Sequence, residues 1–170
     1  MDLDNEDFAI PDMVKASVYA RGNVIAKFSF LESLIDAFLS YHFGKNQKTA
    51  IELIELLFST NKITFDNKRA LAFQILSIHY SDSLSKCKHF NRDMSSIAEQ
   101  RNIFAHQHIK LGIISNCKYD LDGTLIFTKN QASKNVSEYN FYKIKELLDL
   151  INNYIIFFSD LLKQQSTLFP

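Results

Sequence analysis

The sequence contains few of the residues that interrupt regular secondary structure. Four glycines and two prolines occur among 170 residues, and the prolines stand near the two ends, at Pro11 and Pro170. Glycine and proline are the strongest local breakers of a helix. Their scarcity therefore favours long helices over a fold rich in loops.

Cysteine is also scarce. The two cysteines, Cys87 and Cys117, show neither a CxxC spacing nor a nearby cluster of possible ligands. This usage argues for a reducing compartment and against a structural metal. We therefore expect no metal and no other cofactor.

Neither sign of charge is in excess, because 19 Lys and Arg residues balance 19 Asp and Glu residues. A net charge of 0 gives no global basic field of the kind that indicates nucleic-acid binding. Contact with RNA would need a local patch, and Lys86, Lys88 and Arg92, with His89 among them, offer one on the predicted fourth helix. A solvated helix face explains the same residues equally well.

Long apolar runs are absent as well, since none approaches the roughly 18 residues that span a bilayer. Residues 1–11 are polar and acidic and lack the apolar segment of a signal peptide. We interpret them as a leader before a single domain at 12–165, the size of one hydrophobic core. The expected location is the cytoplasm, with no membrane partner.

Helical periodicity is the main feature that the sequence does contain. Near both ends of the domain, apolar residues recur at alternating steps of four and three, a spacing that places them on one helix face. These stripes are Val24, Phe28, Leu31, Ile35, Phe38 and His42, and Ile144, Leu148, Ile151, Ile155, Phe158 and Leu162. The predicted fold is all-α, a helical bundle of about five helices with one short β-hairpin inserted before the last helix.

Capping residues and breakers predict where these helices begin and end. A break is expected near Gly22, the first helix should end at Gly44, and Thr64 or Asp66 should cap the third helix. The expected helices are, approximately, 12–43, 47–58, a third that ends near 79, 81–106 and 137–164, with the hairpin at 109–128.

The segment 119–125 resembles the first motif of haloacid-dehalogenase-type phosphatases. In those enzymes the first aspartate is a nucleophile, the second a general acid, and Mg²⁺ a cofactor. That fold needs the motif at the end of a buried parallel strand within a doubly wound α/β domain. Here helices precede the motif and a single helix follows it, so Asp120, Asp122 and Gly123 are interpreted as a hairpin turn.

The strongest functional signal is Arg101-Asn102-Ile103-Phe104-Ala105-His106, near the end of the predicted fourth helix. Arginine is a permanent cation whose planar donors suit phosphate, and histidine exchanges a proton near neutral pH. Asn102 and His106 are one turn apart, so the asparagine can orient the imidazole. Together they form a minimal set for cleaving RNA without a metal. Residues of these types also cap helix carbonyls, and that structural interpretation stays open.

This motif, at the end of the fourth helix of a small bundle, resembles the signature of the HEPN superfamily, in which an arginine and a polar residue precede a histidine. The segments 28–36 and 65–76 resemble the family's long early helix and the helix that often precedes the motif helix. The resemblance covers roughly 12–165, and only the motif is specific. It implies a metal-independent endoribonuclease that works as a dimer, often as a toxin or in phage defence.

The resemblance also implies roles for individual residues. Arg101 would hold the scissile phosphate, and His106 would assist proton transfer as the RNA 2′-hydroxyl attacks and leaves a 2′,3′-cyclic phosphate. Asn102 would position the histidine or a phosphate oxygen. Glu32 and Asp36 are candidate supporting acids that would pair with Arg101 across the bundle, and a solvated or salt-bridged helix face is the favoured alternative for this pair. Both subunits of a homodimer would line a shared cleft, and an antitoxin or a regulatory protein is a candidate partner.

The alternative is a non-catalytic HEPN-like dimer that acts in interaction or regulation, similar to mannitol operon repressor-like helical proteins. The intact arginine, asparagine and histidine favour the ribonuclease, whereas the net charge of 0 counts against tight RNA binding. Tyr154 and Phe157 flank the apolar stripe of the last helix and favour dimerisation, unless the helix is covered by its own chain.

Overall fold

The computed structural model describes residues 12–60, 62–109, 125–128 and 136–166. It confirms the all-α helical bundle. The helices are α1 (Asp12–Gly44), α2 (Gln47–Leu53, extended by a π-helical turn over Ile54–Phe58), α3 (Phe65–His79), α4 (Ser81–Ser85), α5 (Phe90–His106) and α6 (Phe141–Ser166), and the strands are β1 (His108–Ile109), β2 (Leu125–Thr128) and β3 (Val136–Tyr139). The predicted leader at 1–11, the hairpin turn at 120–123 and Cys117 lie outside the described residues.

The core follows the periodicity of the sequence. The stripe of α1 is buried from Val24 to Phe38, and His42 at its end is half-buried. On α6, Ile151 and Phe158 are buried as predicted, and the other stripe residues are partly buried against the core. Hydrophobic burial of these stripes is the main force that holds the helices together.

The predicted break at Gly22 is wrong, because α1 continues through this position. Gly22 is exposed, and an isolated glycine in an exposed helix costs only about 1 kcal/mol. Burial of Val24, Phe28 and the rest of the stripe outweighs that cost.

Gly44 ends α1 as predicted, but it is not the left-handed residue that a glycine at a helix end usually provides. The left-handed residue after the helix is Lys45, with φ of 55°. A Cβ atom on Gly44 would lie 2.7 Å from the backbone nitrogen of Ala50, so glycine is required here for the close approach of α2. Asn46 then caps α2 by accepting a hydrogen bond from the Thr49 amide at 2.9 Å.

The predicted fourth helix is divided into α4 and α5. Residues 86–89 form a turn, in which the Cys87 amide donates to the Leu84 carbonyl at 2.8 Å. In one continuous helix, Leu84 and Phe90 would point about 120° apart, because six residues turn the chain through 600°. The break lets both side chains pack against the core, where Phe90 is 2% exposed.

A three-stranded antiparallel sheet lies between α5 and α6 in sequence, with strand order β1-β2-β3. The pairing of β1 with β2 agrees with the predicted hairpin, and Ile109 lies opposite Phe127. The last helix begins at Phe141 and not at the predicted residue 137, because Val136–Tyr139 forms a third strand. Tyr139 at the end of β3 packs its ring against Phe104 of α5, and this contact fixes the sheet to the helix that carries the motif.

The position of the motif follows from the direction of two helices. Arg21 contacts Phe104, and Phe28 lies under Arg101, so α5 runs antiparallel to α1. Helix α6 runs parallel to α1, because Lys27 contacts Asn152 and Phe38 contacts Phe158. The end of α5 therefore lies beside the first half of α1.

Candidate functional site

Arg21 holds the end of the motif helix. Its guanidinium donates hydrogen bonds to the carbonyl oxygens of Phe104 at 2.5 Å and Gln107 at 2.7 Å, and lies 3.5 Å from that of Ala105. The last carbonyls of a helix lack partners within the helix and carry partial negative charge. A partly buried cation satisfies them here, so the backbone on both sides of His106 is fixed.

The Arg101 side chain lies along the surface of α1. Its guanidinium carbon is 5.3 Å from the centre of the Phe28 ring, a cation–π contact. One terminal nitrogen donates to Oδ1 of Asn102 at 3.1 Å, and the buried Nε has no hydrogen-bond partner. Within the described residues, no carboxylate lies close enough to pair with this arginine. Its charge is thus available to an anion.

Arg101 and Asn102 line a groove of about 370 Å³ between α1, α5 and the start of α3. Phe28 and Phe65 give the groove an aromatic side, and their ring centres are 4.8 Å apart. Glu32 lines it one helical turn beyond Phe28. The structure therefore brings a cation, an amide, a carboxylate and aromatic surface to one place.

His106 lies outside this groove in a single chain. It is the last residue of α5 and is exposed. Asn102, one turn earlier, is exposed as well, so the two side chains lie on a solvent-facing part of the helix. The structure thus places the three motif residues on one helix but gathers only Arg101 and Asn102 in the groove.

The pairing of Glu32 and Asp36 with Arg101 is wrong, and the alternative of a salt-bridged helix face is confirmed, because both acids pair with Lys68 of α3. The ammonium nitrogen of Lys68 lies 2.9 Å from Oε1 of Glu32 and 2.9 Å from each carboxylate oxygen of Asp36. Lys68 is only 3% exposed, and a buried ammonium group requires such partners. Glu32 still lines the groove, whereas Asp36 is buried behind it.

Burial is the largest influence on the Asp36 carboxyl. It raises the pKa of Asp36 above the ordinary 3.8, and the nearby Glu32 charge adds to this rise. The hydrogen bond and charge of Lys68 oppose it. The pKa stays raised because burial, aided by the charge of Glu32, outweighs the stabilisation that Lys68 gives to the ionised carboxylate.

The predicted basic patch is separate from the motif. Lys86, Lys88 and His89 lie in the turn before α5, so only Arg92 shares the motif helix. Arg92 and Arg101 are nine residues apart, about 14 Å along the helix axis. Lys86, Lys88 and Arg92 are exposed, and Arg92 contacts Asp93 at 3.1 Å.

A cavity of about 440 Å³ lies beside this patch, with Lys86, Lys88 and Tyr154 in its lining. The Tyr154 hydroxyl donates to Asp93 at 3.1 Å, and burial raises the pKa of this tyrosine well above 10. Burial also raises the pKa of Cys87 above 9.0, so its thiol is not activated as a nucleophile.

The surplus apolar surface expected on the last helix is largely covered by the same chain. Tyr154 is 4% exposed, and its ring meets that of Phe90 at 5.7 Å. The ring of Phe157 lies 6.5 Å from that of Phe90. Among the α6 side chains that the structure describes, the large apolar ones that are exposed are Tyr142 and Ile156, so Tyr154 and Phe157 provide no argument for dimerisation.

Sequence reasoning missed Arg21 and Lys68, the two cations that organise the site. Arg21 is 83 residues from the carbonyl that it caps, and no local pattern joins the two. Lys68 stands in a segment rich in polar residues, where a lysine is ordinarily exposed. The paired acids Glu32 and Asp36 were the available signal, because adjacent carboxylates on a buried helix face need a cation.

Comparisons with protein-family models, with curated proteins and with solved structures find no match to this chain. Among the described helices, none is both long and apolar enough to cross a membrane. Within the same segments, no group of three or more histidine, cysteine, aspartate or glutamate side chains is placed to hold a metal ion.

Proposed function

We propose that this chain is a metal-independent endoribonuclease of HEPN type that acts as a homodimer in the cytoplasm. The observation that carries the proposal is the state of Arg101, a cation held over Phe28 beside Asn102 and without an ion pair within the described residues. A structural arginine would ordinarily pair with a carboxylate. Glu32 lines the same groove but pairs with Lys68 instead. An arginine left available beside an exposed histidine suits a phosphodiester substrate.

In the proposed reaction, a phosphoryl group of the RNA backbone is transferred from the 5′-oxygen to the neighbouring 2′-oxygen. The 2′-hydroxyl loses its proton and attacks the adjacent phosphorus, the bond to the 5′-oxygen breaks, and that oxygen leaves with a proton. The products are a 2′,3′-cyclic phosphate and a 5′-hydroxyl. Arg101 stabilises the charge that develops on phosphate, and His106 serves in proton transfer. Asn102 orients the guanidinium through their hydrogen bond.

The homodimer is part of the proposal because one chain holds an incomplete set. His106 is exposed and lies outside the groove that contains Arg101. A second copy that meets the end of α5 about a two-fold axis would bring two histidines and two arginines to one cleft. Light scattering should then give the mass of a dimer at micromolar concentration, and a monomer would contradict this part of the proposal.

The first test is cleavage of a mixed pool of structured and single-stranded RNA in EDTA. We expect cyclic-phosphate ends with the wild type and a loss of at least about a hundredfold with Arg101→Ala or His106→Ala. His79→Ala, in the last residue of α3, is the matched histidine control and should retain activity. An unchanged cleavage rate in the motif variants, all shown to be folded, would reject the proposal.

Mixed dimers provide a second test of the shared cleft. Arg101→Ala and His106→Ala proteins, each inactive alone, would form dimers that hold one arginine and one histidine when mixed. We expect partial recovery of cleavage on mixing, whereas sites confined to single subunits would stay inactive.

A non-catalytic dimer that acts in interaction or regulation is the second candidate, as in mannitol operon repressor-like proteins. One observation favours it: Glu32 and Asp66 also line the groove and would oppose a polyanion bound without further contacts. A partner such as an antitoxin or a regulatory protein would then bind the end of α5. A folded dimer that cleaves no RNA in the pool would support this candidate.

A further inference from the structure

The groove beside Arg101 contains more functional groups than phosphate binding requires. Phosphate needs a cation, yet the groove also presents the Glu32 carboxylate, the Asn102 amide and the partly exposed ring of Phe65. Its volume of about 370 Å³ lies within the range of small-molecule sites. These extra groups indicate a ligand in which the phosphate is joined to a second part that matches them.

The hydrogen-bonding capacity of Glu32 is only partly used. Lys68 contacts Oε1 at 2.9 Å, and within the described residues the structure assigns no partner to Oε2. A carboxylate has about four acceptor positions, so most of them stay free. Lys68 also fixes the carboxylate in place, because the lysine itself is buried and held by Asp36. The groove therefore offers a preorganised pair of acceptors.

The amide of Asn102 is oriented by its neighbour. Arginine has only donors, so the atom that meets the Arg101 nitrogen at 3.1 Å must be the amide oxygen. The amide nitrogen of Asn102 is then the remaining donor of an exposed side chain that lines the groove. A ligand that fits must supply an acceptor here and donors toward Glu32.

We propose that the groove is a guanine-binding subsite that holds the base of a guanosine nucleotide whose phosphate contacts Arg101. Guanine is the common base whose Watson–Crick edge carries two neighbouring donors, N1–H and the 2-amino group, next to the O6 acceptor. The two donors match the Glu32 carboxylate, and O6 matches the Asn102 amide. Adenine, cytosine and uracil each turn at least one acceptor toward a carboxylate placed in this way.

Aromatic surface supplies the remaining recognition. The ring of Phe65 is partly exposed and braced by Phe28 at 4.8 Å, so a base can stack on it. Single-stranded nucleic acid is bound in this manner, by stacking combined with hydrogen bonds to base edges. The subsite rests on the proposed ribonuclease for its biological use, but its binding does not require cleavage.

The test is binding of nucleoside monophosphates to the full chain, followed by calorimetry and by amide shifts in NMR spectra. Guanosine 3′- and 5′-monophosphates establish whether the base precedes or follows the phosphate. We expect one of them to bind about tenfold or more tightly than the inosine and adenosine analogues, because inosine lacks the 2-amino group. Shifts should map to the residues around Phe65 and Asn102.

Two variants separate recognition from folding. Glu32→Gln should weaken guanosine monophosphate binding about tenfold and abolish the preference over inosine. Asp36→Asn is the control for the loss of a carboxylate from Lys68, and it should keep the preference for guanosine over inosine, because Asp36 does not line the groove. Loss of that preference in both folded variants, or equal binding of all the nucleotides by the wild type, would overturn the subsite.

The outcome also distinguishes the subsite from the nuclease. Guanosine-selective binding without any RNA cleavage would retain the subsite and reject the ribonuclease. Metal-free cleavage that depends on Arg101 but occurs equally beside all four bases would retain the ribonuclease and overturn the subsite. Cleavage confined to bonds next to guanosine, with the preference lost in Glu32→Gln, would support both.

Discussion

The Nε of Arg21 donates a hydrogen bond to the carbonyl oxygen of Phe104 at 2.5 Å, although 83 residues separate them in the chain. This contact joins the first half of α1 to the last turn of α5, where the motif ends. It makes Arg21 a positioning residue for His106, since the same guanidinium also bonds the Gln107 carbonyl at 2.7 Å.

We therefore expect Arg21→Ala to lower the free energy of unfolding by about 1.5–3 kcal/mol, the range for hydrogen bonds that involve a charged group. Urea denaturation measures this change. Amide exchange at residues 104–107 should also become faster than in the rest of α5. Lys27→Met is the control, because it removes a hydrogen bond to Asn152 without touching the motif. Equal exchange in the two variants would argue against the positioning role.

We expect replacement by alanine to have opposite effects on stability at the two described glycines of α1. At Gly22 an added Cβ atom meets nothing within 4 Å, so Gly22→Ala should stabilise the protein by about 0.5–1 kcal/mol through helix propensity. At Gly44 it would lie 2.7 Å from the backbone nitrogen of Ala50, so Gly44→Ala should destabilise it by about 1–3 kcal/mol. Thermal unfolding measures both, and the same sign for the two changes would contradict the prediction.

Lys68 should be a strongly coupled residue, because from a buried position it forms ion pairs with two acids. Lys68→Met alone would leave Glu32 and Asp36 facing each other without a cation, and should cost about 3–5 kcal/mol. The combined change with Glu32→Gln and Asp36→Asn should recover much of that loss. Denaturant unfolding of the wild type, Lys68→Met, the double variant of the two acids and the triple variant tests this. Additive changes in the free energy of unfolding would show that the charges are not coupled.

Acid should weaken the fold through His42. Its ring centre lies 5.0 Å from that of His79, and burial, followed by the charge of His79, lowers the pKa of His42 below 6.5. A folded-state pKa below the unfolded value means that the unfolded chain binds more protons as the pH falls through and below 6.5. The resulting stability is therefore present above that pH and is lost below it.

The urea concentration at the unfolding midpoint should accordingly decrease as the pH is lowered from about 7.5 to about 5.5. His42→Gln should reduce this dependence, whereas His89→Gln, at an exposed position before α5, should leave it intact. The same slope in the wild type and His42→Gln would assign the effect to other groups.

The parts of the fold that local periodicity specifies were predictable from sequence. The α1 stripe from Val24 to Phe38 and the Thr64 cap of α3 are both observed. The separation of α4 from α5 was not predictable, because no glycine or proline marks it. It follows from two apolar side chains, Leu84 and Phe90, that reach the same core only when the helix is broken.

The candidate site also has a part that was predictable from sequence and a part that was not. Arg101, Asn102 and His106 were found because they stand together on one helix, and their use in RNA cleavage stays a prediction. A salt-bridged face at Glu32 and Asp36 was predictable but its partner was not, since Lys68 and Arg101 are both cations and sequence alone does not say which helix faces α1. Pairing across a bundle is set by the order in which helices pack, and short-range patterns do not contain that information.

The contact between α1 and α6 is the most extensive between any two described helices, and it joins opposite ends of the domain. During synthesis, the face of α1 that carries Phe38 can meet Phe158 only after α6 has been synthesised. A nascent chain that stops before α6 keeps that face open to chaperones and proteases. The motif residues, which end at His106, are therefore synthesised before α6, the helix that completes the bundle, begins at Phe141.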